Sequence, residues 1–152
     1  MIKAHKLISS VLGIGYVGKG GGTVAAVVAC LIWYAAQAGR EQWVAGQFFV
    51  TIFITLLGVW SAQRVEPLWG KDDKKVVIDE VAGMCLALVA VPVTWATVLG
   101  GLVLFRFFDI AKPLFIRKLE KVSGGWGVML DDVLAGLYAN LVLQLLLYFK
   151  LF

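Results

Sequence analysis

The chain has 152 residues, of which 61% are hydrophobic and only 16% are charged, and its formal net charge is +4. Together with a mean hydropathy of +0.87, this composition argues against a soluble domain. The basic residues alternate with apolar runs instead of clustering on one segment, so the positive charge indicates membrane topology and argues against a nucleic-acid partner.

Four charge-free runs follow one another along the chain, with lengths of 20, 22, 25 and 17 residues. They cover residues 20–39, 42–63, 81–105 and 133–149. A helix needs about 20 apolar residues to cross a bilayer. We therefore predict an all-α fold, a polytopic transmembrane helical bundle. No repeat or linker divides the chain, so residues 1–152 are predicted to form a single domain.

The N-terminal segment begins like a signal peptide, with Lys3 and Lys6 near its start. Its apolar stretch is interrupted by Ser9 and Ser10, and it ends at Lys19 without a small-residue cleavage site. We predict that this segment is retained and lies at the membrane interface.

Two nucleotide-binding patterns occur by chance near residue 13. Residues 13–18 match G-x-G-x-x-G, but no strand–helix–strand unit surrounds them, and residues 13–19 match G-x-x-x-x-G-K, but Gly20 replaces the metal-binding Ser or Thr. We reject both sites. What remains is the turn at residues 20–23, where backbone amides and the Thr23 hydroxyl can meet a phosphate; a flexible entry turn is the open alternative.

Cys30 and Cys85 both lie in the middle of apolar runs. A buried thiol there behaves as a small apolar side chain, so neither a disulfide framework nor a metal site built on cysteine is indicated.

The 25-residue run contains Pro92 near its middle, which allows either one kinked span or a hairpin turning at residues 91–94. A hairpin places twelve basic residues on one side of the membrane and two on the other, whereas a single span gives eight against six. The positive-inside rule favours the hairpin. We predict about five spans with the N-terminus in the cytoplasm, and the short fourth helix must extend beyond Phe108 or thin the membrane locally.

In this topology five carboxylates share the cytoplasmic ends of three spans. They are Asp79 and Glu80, Asp109, and Asp131 with Asp132. Carboxylates next to hydrocarbon are costly unless they are paired, hydrated or bound to metal, and Mg²⁺ prefers such oxygen ligands together with substrate phosphate. We therefore expect a magnesium site. The open alternative is that the acidic pairs only complement helix dipoles.

Arg106, Asp109 and Lys112 are spaced three residues apart on one predicted helical face, and Pro113 ends that helix. An arginine and a lysine beside carboxylates suit a phosphate, although both can also be interface anchors. The glycine-rich residues 124–127 before the second acidic pair allow a tight turn or a close approach of backbone to ligand.

The side chains available as nucleophiles limit which phosphatase mechanisms are possible. The only histidine, His5, is far in sequence from the carboxylates, Cys85 has no arginine six residues later, and no D-x-D-x-T run is present. These absences exclude histidine, cysteine and haloacid-dehalogenase-type phosphatases. Water activated by a metal that carboxylates hold remains.

Three blocks of sequence resemble the bacterial phosphatidylglycerophosphatase A enzymes, and the resemblance runs over nearly the whole chain. The blocks are residues 78–84 (IDEVAGM), 105–113 (FRFFDIAKP) with Ile116-Arg117, and 124–136 (GGWGVMLDDVLAG). The resemblance implies a Mg²⁺-dependent phosphatase of the bacterial inner membrane that converts phosphatidylglycerophosphate to phosphatidylglycerol at the cytoplasmic face. The N-terminal glycine-rich segment departs from the family, since Gly21-Gly22-Thr23 and Ala25-Ala26 stand where Pro-Gly-Thr and Gly-Ser are typical.

The combined hypothesis gives each polar residue a role. Asp79, Glu80, Asp131 and Asp132 hold Mg²⁺, while Arg106 and Lys112, with Thr23, bind the substrate phosphate. Asp109 orients the basic residues or joins the metal shell, and a water attacks phosphorus. Which carboxylate is the base stays open, as does a covalent aspartyl-phosphate intermediate.

Rival functions from other classes make different demands on the sequence. A cation transporter or channel subunit would use the acidic cluster near the membrane midplane, whereas the charges here flank the spans. A phosphatase for another lipid phosphate remains an alternative. A CDP-alcohol phosphotransferase needs a D-G-x-x-A-R run, and none is present.

Overall fold

The computed structural model describes residues 1–152. All of its regular secondary structure is helical, which confirms the predicted all-α class. It contains seven α-helices and a 3₁₀ helix at Ile14–Val17. The α-helices are α1 (Ile2–Ser9), α2 (Gly21–Gln37), α3 (Val44–Trp69), α4 (Ile78–Leu88), α5 (Trp95–Ala111), α6 (Ile116–Leu119) and α7 (Gly124–Tyr148).

Helix α4 is the centre of the bundle, because α2, α3, α5 and α7 all pack against it. Its apolar side chains meet large buried residues of its neighbours: Met84 and Leu88 share one core with Phe105 of α5 and Leu143 of α7. The first turn of α4 carries Asp79 and Glu80. The most enclosed helix of the fold therefore begins with two carboxylates.

Two glycines allow α4 and α7 to approach closely. A Cβ atom at Gly136 would collide with the backbone oxygen of Gly83, and one at Gly83 would lie 2.5 Å from the backbone oxygen of Asp132. Residues four apart lie on the same helix face. Asp79 and Asp132 each lie four residues before one of these glycines, so the crossing brings the two carboxylates together.

Two helices, α3 and α7, are long and apolar enough to cross a membrane. Their outer faces expose large hydrophobic side chains, such as Phe49 and Phe53 on α3, which are 70% and 56% exposed, and Leu141 on α7, which is 56% exposed. Extended apolar surfaces of this kind mark contact with a partner or with lipid.

The 25-residue run is broken into α4 and α5, which confirms the break predicted near Pro92. Residues 89–94 are not helical, and side chains satisfy their backbone: the Gln47 side chain accepts from the Ala90 N–H at 2.8 Å, and Asn140 donates to the Val89 carbonyl at 2.8 Å. Non-helical backbone away from water requires such partners. Helix α4 has 11 residues and is about 16 Å long.

Capping explains the bounds of α5. The Thr94 and Thr97 side chains each accept a hydrogen bond from the other residue's backbone N–H, at 3.2 and 3.0 Å, which defines the start. Lys112 adopts a left-handed conformation (φ 46°) and precedes Pro113, which ends the helix. The predicted extension beyond Phe108 is confirmed, since α5 reaches Ala111.

Helix α7 begins seven residues before Asp131, earlier than the predicted fifth span. The glycines at its start pack against backbone rather than forming a turn around a ligand: a Cβ atom at Gly125 would collide with the Val59 carbonyl of α3, and one at Gly127 with the Val122 carbonyl. Of the two uses predicted for residues 124–127, the tight turn is provided by Gly124, whose φ is +73°, while Gly125 and Gly127 approach backbone of this chain.

Candidate active site

A polar cavity of about 440 Å³ lies where four helices meet. It is surrounded by the N-terminal parts of α2, α4 and α7, the C-terminal end of α5 and the loop before α4. Only one of its 14 lining residues, Val76, is hydrophobic. The lining comprises Gly18, Lys19, Gly22, Asp72, Asp73, Lys74, Val76, Asp79, Glu80, Arg106, Asp109, Lys112, Asp131 and Asp132. All five carboxylates predicted from sequence lie here, together with Arg106 and Lys112.

Asp79, Glu80 and Asp132 form the tightest acidic group, with one ligand oxygen from each lying within 4.8 Å of the others. Asp79 and Asp132 are 6% and 3% exposed. One buried oxygen of each of the three residues has no hydrogen-bond partner within the protein. Buried, mutually repelling carboxylates with free oxygens are stable only when a cation or protons neutralise them. These three residues therefore fit a bound metal ion.

Asp131 lies beside Lys112 and outside this group of three. Lys112 donates to Asp131 Oδ2 at 2.8 Å and also pairs with Glu120. Although burial lowers the pKa of Lys112, its hydrogen bonds to Asp131 and Glu120 and their negative charges raise it above its ordinary value. Asp131 therefore lies outside the group of three carboxylates and pairs with Lys112, while its own Oδ1 is buried without a partner.

Arg106 forms an ion pair with Asp109 one turn later on α5. The pairing leaves the Arg106 Nε atom buried without a partner. Of the two roles predicted for Asp109, orientation of a basic side chain is the one that this contact provides.

The cavity carries an excess of negative charge. Seven carboxylates and four basic side chains line it, a difference of three negative charges if all are ionised. A phosphate would add to this repulsion unless cations entered with it. The charge balance of the lining is therefore a second observation that fits a metal ion.

Sequence reasoning missed Lys19 and Lys74, which line the cavity and form no ion pair in the structure. Lys19 ends the rejected G-x-x-x-x-G-K match, and Lys74 lies in the charged stretch at residues 71–75, which contributes only to the topology prediction. The available signal was that this stretch lies just before Asp79. Any loop there must end beside the carboxylates.

Thr23, predicted to contact phosphate, is exposed and lies outside the lining of the cavity. Its neighbour Gly22 lines the cavity instead. A Cβ atom at Gly22 would overlap Glu80 Oε1. The first turn of α2 thus leaves room for the Glu80 carboxylate and brings no hydroxyl to the cavity.

The alternative that the acidic residues only complement helix dipoles fits one pair and not the other. Asp79 and Glu80 lie in the first turn of α4, but α7 has no acidic residue in its first turn. Asp131 and Asp132 lie two turns into α7, where the N-terminal dipole effect has faded.

The only histidine, His5, packs against Trp60 with ring centroids 4.4 Å apart and is absent from the cavity.

Comparison with known proteins identifies relatives. The phosphatidylglycerophosphatase A family model matches residues 7–147. A putative phosphatidylinositol-3-phosphatase of Bacteroides thetaiotaomicron is 38% identical over 144 residues, which cover 90% of this chain and 89% of that protein. The phosphatidylglycerophosphatase A proteins of Haemophilus influenzae and Escherichia coli are 40% and 32% identical, over 66% and 76% of this chain and 64% and 67% of their own lengths. No solved structure matches.

Proposed function

The chain belongs to the phosphatidylglycerophosphatase A family of phosphatases, and we propose that it removes the terminal phosphate from phosphatidylglycerophosphate to give phosphatidylglycerol and inorganic phosphate. The observation that carries the proposal is the group of Asp79, Glu80 and Asp132 in a cavity that also holds four basic side chains. A metal ion and a phosphate anion need these two kinds of side chain next to each other.

The proposed cofactor is Mg²⁺, held by Asp79, Glu80 and Asp132. Hard carboxylate oxygens without any nitrogen or sulfur donor favour this ion over zinc. When bound, the ion would neutralise phosphate oxygens and lower the pKa of a coordinated water.

The chain's own residues position and neutralise the substrate. Lys112, held by Asp131 and Glu120, and Arg106, held by Asp109, present fixed positive charge toward the phosphate. A water attacks phosphorus in line with the lipid oxygen and the bond from phosphorus to that oxygen breaks; one water proton goes to the leaving lipid oxygen, giving the alcohol, and the other stays on the released phosphate. Because phosphoryl transfer has a dispersed anionic transition state, preorganised cations supply most of the acceleration.

The proposed location is a bacterial inner membrane, with the chain crossing about five times and the cavity facing the cytoplasm. The apolar outer faces of α3 and α7 and the twelve-to-two division of basic residues support this placement. Residues 89–94 complete the short crossing that begins with α4. The substrate lipid then reaches the cavity from the cytoplasmic leaflet.

A second candidate substrate is phosphatidylinositol 3-phosphate. The relative named as a putative phosphatidylinositol-3-phosphatase matches 90% of this chain, a larger share than either phosphatidylglycerophosphatase A relative. Both lipids carry a phosphomonoester on a polyol headgroup and a phosphodiester, so the same cavity chemistry serves either.

Phosphate release from the two lipids decides between the candidates. Detergent-purified protein would be supplied with phosphatidylglycerophosphate or phosphatidylinositol 3-phosphate, each with Mg²⁺ and with chelator. Faster metal-dependent release from phosphatidylglycerophosphate is the expected result. Preference for the inositol lipid would replace the proposed substrate, and release from neither would overturn the phosphatase assignment and favour a cation-handling role.

Lys74→Ala and Lys19→Ala are each expected to raise KM for the lipid phosphate several-fold to about tenfold, with kcat little changed. These exposed cations have no protein partner and attract the lipid phosphate equally in the ground state and in the transition state. Their loss therefore weakens substrate binding without slowing the chemical step. Lys71→Ala is the matched control, because Lys71 belongs to the same loop but lies outside the cavity lining. Equal kinetics for the Lys71 and Lys74 variants would show that Lys74 has no such role.

A further inference from the structure

Helices α2 and α3 are consecutive in the chain, yet they scarcely contact each other: α2 packs mainly against α4, whereas α3 packs against α7, α4 and α1. The space between them forms a cleft of about 470 Å³, a volume typical of ligand sites. Nine of its 14 lining residues are hydrophobic, so most of the cleft suits an apolar ligand. Among them are Ile32 and Ala36 of α2, Val50 and Ile54 of α3, and Val81 and Cys85 of α4.

The cleft lies farther from the N-termini of α4 and α2 than the polar cavity does. Glu80 lines the polar cavity and Val81, the next residue, lines the cleft. Helix α2 borders both spaces in the same order, with Gly22 at the cavity and Ala29 at the cleft. A molecule with an anionic head and an apolar tail can therefore occupy both spaces at once.

The dimensions and the far end of the cleft fit the tail of such a molecule. Between Gly46 and Ile54, which both line it, α3 rises by about 12 Å. Gln37, Arg40 and Glu41 line the end away from the carboxylates. An apolar chain that enters beside Val81 thus meets hydrocarbon side chains along its path and polar groups only at its tip.

We infer that the cleft between α2 and α3 binds one acyl chain of the phospholipid substrate while the headgroup lies in the carboxylate cavity. The assignment rests on the proposed function. Because the two helices do not close against each other, the chain enters sideways from the surrounding lipid, and the headgroup follows it to the cavity.

Two adjacent alanines provide the test. Ala36 is exposed and lines the cleft, whereas Ala35 is exposed on the same helix and does not line it. Ala36→Trp fills the cleft without disturbing the core. It is expected to lower kcat/KM for a dioleoyl substrate about three- to tenfold relative to Ala35→Trp. The effect is moderate because a displaced chain still lies among detergent tails. A dihexanoyl substrate with the same headgroup should be hydrolysed equally by both variants.

A substrate analogue with a diazirine near the middle of one acyl chain gives a second measurement. Photolysis followed by peptide mapping should place crosslinks on Ile32, Val50 and Ile54, and Ala36→Trp should reduce them severalfold. Crosslinks spread over the outer faces of α3 and α7, or equal chain-length selectivity of the two variants with active wild type, would overturn the cleft assignment alone. Wild type that hydrolyses neither substrate would overturn the proposed function and this assignment with it.

Discussion

Asp132→Asn is expected to reduce phosphate release at least about a hundredfold, and Asp79→Asn should act likewise. Each removes one anionic ligand from a group whose oxygens lie within 4.8 Å of one another, and losing one charge-stabilising group in an active site typically costs a factor of 10² to 10³. The measurement is metal-dependent phosphate release by purified protein.

The same variants should be as stable as wild type, or more stable, in chelator. Each asparagine relieves repulsion between buried carboxylates, which is the opposite of what loss of a structural ion pair would do. Millimolar Mg²⁺ should raise the melting temperature of wild type by binding the folded state, and should raise that of the variants much less.

Glu66→Gln serves as the matched control for these carboxylate variants, because Glu66 lies outside the cavity lining. It should retain wild-type activity and the wild-type response to Mg²⁺. An Asp132→Asn protein that turns over normally, or that keeps the full Mg²⁺-dependent rise in melting temperature, would remove Asp132 from the metal site.

Gly136→Ala is expected to lower both activity and stability although it adds only a single methyl group and changes no charge. That methyl would collide with the backbone carbonyl of Gly83, and a backbone in the most enclosed helix cannot yield as a flexible side chain can. Overpacking of this kind costs about 1–3 kcal/mol. Forcing α4 away from α7 also separates Asp79 from Asp132, and a displacement near 1 Å can cost about a hundredfold in rate.

Melting temperature and phosphate release per folded molecule would measure the two effects of Gly136→Ala separately. Gly20→Ala is the control, since a Cβ atom there meets nothing within 4 Å and its φ of −103° suits any residue. A Gly136→Ala protein with wild-type melting temperature and activity would show that the close crossing does not position the carboxylates.

The sequence by itself determined the helical class and identified seven of the eleven charged residues that line the cavity. Apolar runs of bilayer length allow few other folds, and the break near Pro92 followed from the basic residues around it as much as from the proline. Carboxylates beside apolar runs are rare, so Asp79, Glu80, Asp109, Asp131 and Asp132 stood out without any structure.

Only the tertiary structure decided which of these residues contact one another in the cavity. Asp131 and Asp132 are neighbours in sequence, but successive residues of a helix point about 100° apart. Asp132 therefore joins Asp79 and Glu80, whereas Asp131 turns to Lys112. Residues without a motif, Lys19 and Lys74, enter the cavity through loops whose paths no periodicity predicts. The role of Gly136 likewise depends on a contact with Gly83, 53 positions earlier in the chain. Local sequence carries the propensity of each helix, but which faces meet is set by packing between distant segments.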